Sequence, residues 1–171
     1  MANKPTVTVV GAGLAGSEAT WQLIRRGFPV RLIEMKPVKF SPAHKSAGFA
    51  ELVCSNSLKA EQMSNASGVL KAEMRALDSL ILRCADATAV PAGGALAVDR
   101  DRFSDLITEA IKSSPLVTFE TGVVDAIPDA PCIIATGPLT DPALVNAIES
   151  LPGAKSLHFF DAAAPIVTAE S

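Results

Sequence analysis

The sequence predicts an α/β fold, and three observations carry that prediction. A β-branched run, a helical pattern and a second apolar run follow one another within the first 34 residues. Strand-like and helix-like segments then keep alternating as far as residue 151. The first strand also passes into the first helix through Gly11-Ala12-Gly13-Leu14-Ala15-Gly16, a GxGxxG. Alternation of this kind reads as helices layered on a sheet.

Thr6–Val10 is short, rich in Val and Thr, and stops at Gly11, as a buried strand does. From Leu14 to Arg26 the period becomes helical, with Ala19, Leu23 and Ile24 apolar and Glu18, Gln22, Arg25 and Arg26 polar. Arg25 and Arg26 complement the helix C-terminus and Gly27 ends it. Pro29–Glu34 is a second strand closing on an acid, which completes a βαβ unit with a right-handed crossover. Residues 35–57 hold Pro37, Pro42, Gly48 and Cys54-Ser55-Asn56-Ser57 with little periodicity, so they read as a long functional loop. Ser67 caps a helix carrying Leu70, Met74, Leu77, Ile81 and Cys84 at spacings of three and four. Pro91–Gly94 is a turn, Ala95–Val98 a strand, and Phe103, Leu106, Ile107, Ala110 and Ile111 mark a helix begun near Asp99 or Asp101. Val117–Phe119 and Val123–Ile127 read as short strands, Cys132–Ala135 as a buried strand ending at Thr136-Gly137, and Leu144–Leu151 as a weaker helix. Ala162–Val167 looks like the start of another element, and no internal repeat is visible.

Composition removes several classes. The 171 residues are 49% hydrophobic and 19% charged, too apolar for a disordered chain. No apolar run approaches the ~20 residues that span a bilayer, and no targeting segment is recognisable at the N-terminus. Three cysteines without CxxC spacing argue against a disulfide framework or a zinc site and for a reducing, cytoplasmic setting. The net charge of −3 divides unevenly. Residues 1–86 hold 11 basic and 7 acidic side chains, and residues 87–171 hold 4 and 11. A basic first half suits a phosphate-rich ligand or nucleic acid, and equally an ordinary solvated surface.

The GxGxxG gains its meaning from lying between a strand and a helix. Gly11 permits the tight turn, Gly13 admits backbone to a pyrophosphate, and Gly16 lets the helix pack against the strand. Ala12, Leu14 and Ala15 complete a helix N-terminus whose N–H groups face phosphate. Glu34, 18 positions after Gly16, stands where an acid accepts ribose hydroxyls and disfavours a 2′-phosphate. The bland alternative is a glycine turn with an incidental acid. Flavin and nicotinamide dinucleotides share this fingerprint, and only Ile133-Ile134-Ala135-Thr136-Gly137 separates them. That strand resembles the second signature of glutathione-reductase-type flavoproteins, and on pattern alone it is equally an ordinary strand ending at a turn.

Further blocks make the resemblance specific. Gly13–Ala19, Glu34-Met35-Lys36-Pro37, Phe49–Ser57, Glu73–Leu80, Pro91–Arg100 and Phe160–Val167 resemble the N-terminal portion of the MnmG/TrmFO family, the branch of folate- and FAD-dependent tRNA (uracil-5-)-methyltransferases. The resemblance implies a Rossmann-like FAD-binding domain of the glutathione-reductase type spanning 1–171, truncated, with about 150–171 beginning the connection to a second domain. It implies FAD as cofactor, and methylenetetrahydrofolate and NADH or NADPH as co-substrates. The implied partner is tRNA, methylated at carbon 5 of the T-loop uridine, with no membrane involved. Cofactor contacts fall to Gly11, Ala12, Gly13, Leu14, Ala15, Gly16, Glu34, Thr136 and Gly137.

Methylating carbon 5 asks for a thiolate that adds to the ring and a base that removes the displaced proton. Cys54 matches one of two cysteines associated with that reaction, which implies a supporting thiol or base. A small buried hydrophobe is the competing reading. Cys84 and Cys132, on an apolar helix face and an apolar strand, are expected in the core. His44 lies in a basic loop where it could meet phosphate or a folate carboxylate, or simply solvent, and His158 reads as a packed histidine. A non-catalytic dinucleotide-binding module and another flavin or nicotinamide oxidoreductase remain the other readings.

Overall fold

The structure is a computed structural model that describes residues 4–152. In chain order its elements are β1 (Val7–Val10), α1 (Leu14–Arg25), β2 (Val30–Glu34), β3 (Ser57–Ala60), α2 (Ala66–Ala76), α3 (Leu80–Ala87), β4 (Ala89–Val90), β5 (Ala95–Val98), α4 (Arg100–Lys112), β6 (Val117–Thr121), β7 (Cys132–Ile134) and α5 (Pro142–Glu149). The segment after Pro152, with Ala162–Val167 and His158 and most of the expected 150–171 connection, lies outside the described residues.

Two sheets organise the described residues. The larger is wholly parallel in the order β6-β2-β1-β7, with Val7 beside Val30, Val30 beside Val117 and Thr8 beside Cys132. The expected α/β, Rossmann-like class is therefore what forms. β1 is enclosed on both sides and buried along its whole length, as suits its β-branched Val-Thr-Val-Val run. Strand order turns back at β1, and in open parallel sheets a crevice opens at such a point, outside the carboxyl ends of the strands. The smaller sheet is antiparallel, in the order β3-β5-β4.

The core joins the layers. Val9, Leu32, Val30, Leu80, Leu82, Val98, Phe103, Ile107 and Ile111 pack between the parallel sheet and helices α1, α3 and α4. Phe49, in the aperiodic stretch, is fully buried with its ring 5.2 Å from that of Phe119. Burying such a ring is worth about 2 kcal/mol, enough to pin a loop that lacks secondary structure of its own. Polar bonds pin it as well. The Phe49 N–H donates to Thr108 Oγ1 at 2.9 Å, Ser104 Oγ donates to the Phe49 carbonyl at 2.6 Å, and the Ala50 N–H donates to the Ala12 carbonyl at 2.9 Å. Residues 35–56 thus hold no helix or strand, as expected, yet their centre is part of the core.

Several expectations need correction. The helix expected from Ser67 through Cys84 is two helices, α2 and α3, separated at Leu77-Asp78-Ser79. Asp78 takes φ +55, and the Ser79 side chain accepts the Leu82 N–H to begin α3. Three intervening residues are almost one turn, so the apolar spacing runs across the break without a skip. Asn65, not Ser67, occupies the cap position of α2, while Ser67 Oγ donates to the Ala60 carbonyl. Residues 123–127 form no strand, and β6 instead runs on to Thr121. β7 is only half-buried, because it is an edge strand among the described residues.

Candidate functional site

A groove of about 300 Å³ opens at the carboxyl ends of the parallel strands. Val10, Glu34, Gly122 and Ala135 mark where β1, β2, β6 and β7 meet it, and Gly13, Leu14 and Ala15 bring in the start of α1. Thr136, Gly137 and Thr140 form its far wall.

The first glycine turn is shaped by close contact. Gly11 has φ +95, and a Cβ there would lie 2.6 Å from the Ala135 carbonyl oxygen, so both conformation and space demand glycine. A Cβ on Gly16 would lie 1.8 Å from the Gly11 carbonyl oxygen. Gly16 is buried and absent from the groove lining, so its part is packing α1 onto β1. Gly13 is different. A Cβ there meets no atom of the chain within 4 Å, and its φ of −69 suits any residue. Nothing in the protein itself demands glycine at the lip of the groove, whereas an approaching phosphate would. No side chain caps α1, so its first N–H groups and the positive end of its dipole remain available there.

Ala12 also lies outside the groove lining, 1% exposed, with its N–H donated to Glu34 Oε2 at 2.6 Å. The other Glu34 oxygen accepts the Lys36 N–H at 3.0 Å. A carboxylate has room for about four donors, so Glu34 is fixed by two backbone groups and keeps acceptor capacity toward the groove. On the far wall, Thr136 and Thr140 share a hydroxyl–hydroxyl bond of 2.6 Å, and Thr140 Oγ1 donates to the Gly137 carbonyl at 2.8 Å. Gly11, Gly13, Leu14, Ala15, Glu34, Thr136 and Gly137 therefore come together around one groove, and Ala12 and Gly16 stand behind it.

Several lining residues were not anticipated. Buried Lys36 and part-buried Glu51 form an ion pair at 3.3 Å, and Lys36 Nζ also donates to the Gly48 carbonyl at 2.8 Å. Burial alone would push the Glu51 carboxyl up, but the N–H groups of Lys45 and Ser46 and the Lys36 ammonium outweigh it and hold the group below its usual range. Asp141, which lines the groove, caps α5 and pairs with Lys39, and the Lys39 ammonium and the Ala143 N–H lower its pKa. No periodicity marks these pairs, although Lys36 and Glu51 both stand in the blocks that carried the family resemblance. His44 lines the groove too, with Nδ1 bonded to Ser41 Oγ.

Cys54 lies elsewhere. It is exposed and lines a separate polar hollow with Ser55, Asn56, Asp99 and Arg100, while its neighbour Val53 reaches the groove. The competing reading of Cys54 as a buried hydrophobe is thereby excluded. Cys84 is buried as expected, and burial pushes its thiol up. Cys132 is only half-buried. No cluster able to hold a metal ion and no helix long and apolar enough to cross a membrane occurs among the described residues.

Proteins of known structure share the fold. Among solved structures, CtdE in complex with FAD and a substrate superposes with a TM-score of 0.50 at 17% identity, over 87% of this chain and 40% of that one. NikD, an unusual amino acid oxidase, gives 0.51 at 16%, over 85% and 55%. At such identity the likeness is one of fold. Sequence relatives are much nearer. The methylenetetrahydrofolate–tRNA-(uracil-5-)-methyltransferase TrmFO of Listeria welshimeri is 61% identical over 166 residues, 97% of this chain and 38% of its own length. The protein of the same name from Lactobacillus gasseri is 60% identical over 96% and 38%. The chain thus spans little more than a third of these curated relatives. The family model described as glucose inhibited division protein A matches residues 6–171, and the chain belongs to that family.

Proposed function

We propose that this chain is the FAD-binding part of a cytoplasmic methylenetetrahydrofolate–tRNA-(uracil-5-)-methyltransferase, acting on a T-loop uridine. The observation that carries the reading is Gly13, a glycine which no atom of the protein requires, at the lip of a groove closed by Glu34. The name shared by relatives about 60% identical over nearly the whole chain supplies the reaction class.

The residues fit the cofactor. The α1 N-terminus and Gly13 would hold the diphosphate, Glu34 the ribose hydroxyls, and Thr136 and Gly137 the side leading toward the flavin. When bound, the flavin supplies the redox and one-carbon chemistry that no side chain can provide, with methylenetetrahydrofolate and a reduced nicotinamide as the co-substrates. Within the chain, Glu34 orients the ribose through a carboxylate that two backbone N–H groups hold still. The apolar lining from Val10, Leu14, Ile33 and Leu144 excludes water around it. Cys54 supplies a thiol on an open polar surface one residue beyond the groove, where a pyrimidine can approach. It acts as a supporting thiol or proton acceptor, and the chain alone is expected not to turn over.

Reconstitution tests the cofactor assignment. After incubation with FAD and removal of excess, the protein should retain a flavin absorption spectrum, and a colourless, folded product would overturn the assignment. Extending the chain to the length of its relatives should give methyl transfer to T-loop uridine, sharply reduced by Cys54→Ala. Transfer by the 171-residue chain alone would refute the claim that it is inactive by itself.

A further inference from the structure

Lys36 is an unusual side chain to find beside a ribose-binding acid. Its own N–H is bonded to the Glu34 carboxylate, so its side chain departs from the point where ribose hydroxyls would lie. A free ammonium there would attract a 2′-phosphate, which carries roughly −1.5 to −2 charge near neutral pH. The ammonium is not free. Lys36 is 4% exposed, and Nζ is held by the Gly48 carbonyl at 2.8 Å and by Glu51 Oε2 at 3.3 Å. Glu51 is in turn placed by the loop and not by the lysine, because its Oε1 accepts the N–H groups of Lys45 at 2.9 Å and Ser46 at 3.0 Å. The loop itself is seated by Phe49 and Ala50, both fully buried.

We infer that Glu51 is a specificity-determining residue: by sequestering Lys36 it makes the groove select a dinucleotide with a free 2′-hydroxyl over a 2′-phosphorylated one. The inference rests on the dinucleotide reading of the groove given above. Glu34, Lys36 and Glu51 all line that groove. Together they leave one net negative charge at the ribose end, and Glu34 alone would do the same were the pair absent. Removing Glu51 by itself cancels that charge and leaves the Lys36 ammonium uncompensated in the groove lining, with the neutral Gly48 carbonyl as its remaining partner. Discrimination is a difference of two affinities, and here it is built by withholding an attraction that the competitor needs. A nicotinamide phosphate serving as reductant would thereby be kept out of the site meant for the flavin dinucleotide.

Calorimetric titration of ADP and of adenosine 2′,5′-bisphosphate into the 171-residue protein tests the inference. The wild type should prefer ADP. Glu51→Gln keeps an oxygen for the Lys45 and Ser46 N–H groups but loses the charge, and should narrow the preference about tenfold, the size of one unit charge acting across a partly solvated site. Lys36→Met should not narrow it, and the double variant Lys36→Met/Glu51→Gln should return close to the wild-type ratio. Glu51→Ala gives the same readout should the Gln variant fold poorly. An unchanged ratio in variants that still take up ADP overturns the inference and leaves the groove reading standing. Narrowing that persists in the double variant also overturns it, since Lys36 would then not be the cause. Uptake of neither nucleotide by folded wild type overturns the dinucleotide reading and this inference with it.

Discussion

The glycine turn between β1 and α1 and the short stretch bearing Cys54 flank the same buried anchor, Phe49-Ala50, yet they are built on opposite terms. The turn is built on close backbone contacts: Gly11 lies against the Ala135 carbonyl, Gly16 against Gly11, and Ala12 donates its N–H to Glu34 while its carbonyl accepts the Ala50 N–H. Around Cys54 little is enclosed. Val53 and Cys54 are exposed, Ser55 Oγ accepts the Ser57 N–H, and Asn56 exchanges hydrogen bonds with the Val98 backbone at the end of β5. The grip proposed for a cofactor thus rests on closely packed backbone. The thiol sits on an open surface, and the chemistry proposed for it needs surroundings that the described residues do not assemble.

The contrast is broken most severely at Gly16. Gly16→Ala would force a Cβ to within 1.8 Å of a backbone oxygen that the buried sheet holds in place. The expected cost is at least about 3 kcal/mol, a large share of the ~5–15 kcal/mol that keeps a domain folded. Urea or thermal denaturation should show a strongly destabilised or unfolded variant, and a native-like melt would mean that the turn is looser than its contacts imply.

Gly13→Ala sharpens the same comparison inside the motif. Since a Cβ there meets no atom of the chain within 4 Å, stability should stay within about 0.5 kcal/mol of wild type. Affinity for FAD or ADP should nonetheless fall about tenfold or more, because the added methyl stands where backbone must approach phosphate. Loss of stability without loss of binding would reverse the assignment of roles within the motif.

Acid provides a milder test of the anchor. The folded-state pKa of Glu51 lies below its ordinary 4.5, so the Glu51 carboxylate stabilises the loop fully above that value. Its contribution fades as pH falls through the lower folded-state value, where the Lys36 ammonium and the Lys45 and Ser46 N–H groups lose an ionised acceptor. Stability measured from pH 6 downward should decline less steeply below 4.5 in Glu51→Gln than in wild type. Equal slopes would show that Glu51 does not hold the loop.

What could be read from residues alone follows the same division. β1, the turn, α1 and β2 were legible because their periods are clean and because Gly11, Gly16 and the acid at 34 are fixed by close contact. Of the antiparallel sheet only its central strand, β5, was legible. β3 and β4 are four and two residues long, half-buried or exposed, and β3 meets β5 with a register shift, so no alternation accumulates. The break at Asp78 was hidden by helical spacing that survives a three-residue interruption. The Lys36–Glu51 pair was hidden because it joins residues 15 apart in a stretch without a period, where only the folded path brings them together.

The smallest effect is expected at Cys54, and it is the most informative about the open side. In this chain Cys54→Ser exchanges one exposed small side chain for another, so stability should change by less than about 0.5 kcal/mol. FAD or ADP uptake should not change, since Cys54 lies outside the groove lining. A thiol-alkylating reagent should modify Cys54 first in the folded protein. Cys84 should resist it, because burial both shields the thiol and disfavours its reactive thiolate form. Cys132, half-buried on the edge strand, should react at an intermediate rate. If FAD protected Cys54 from alkylation in this chain, the thiol would lie closer to the bound cofactor than its separate hollow implies. The division between an enclosed grip and an open thiol would then be a feature of the ligand-free arrangement only.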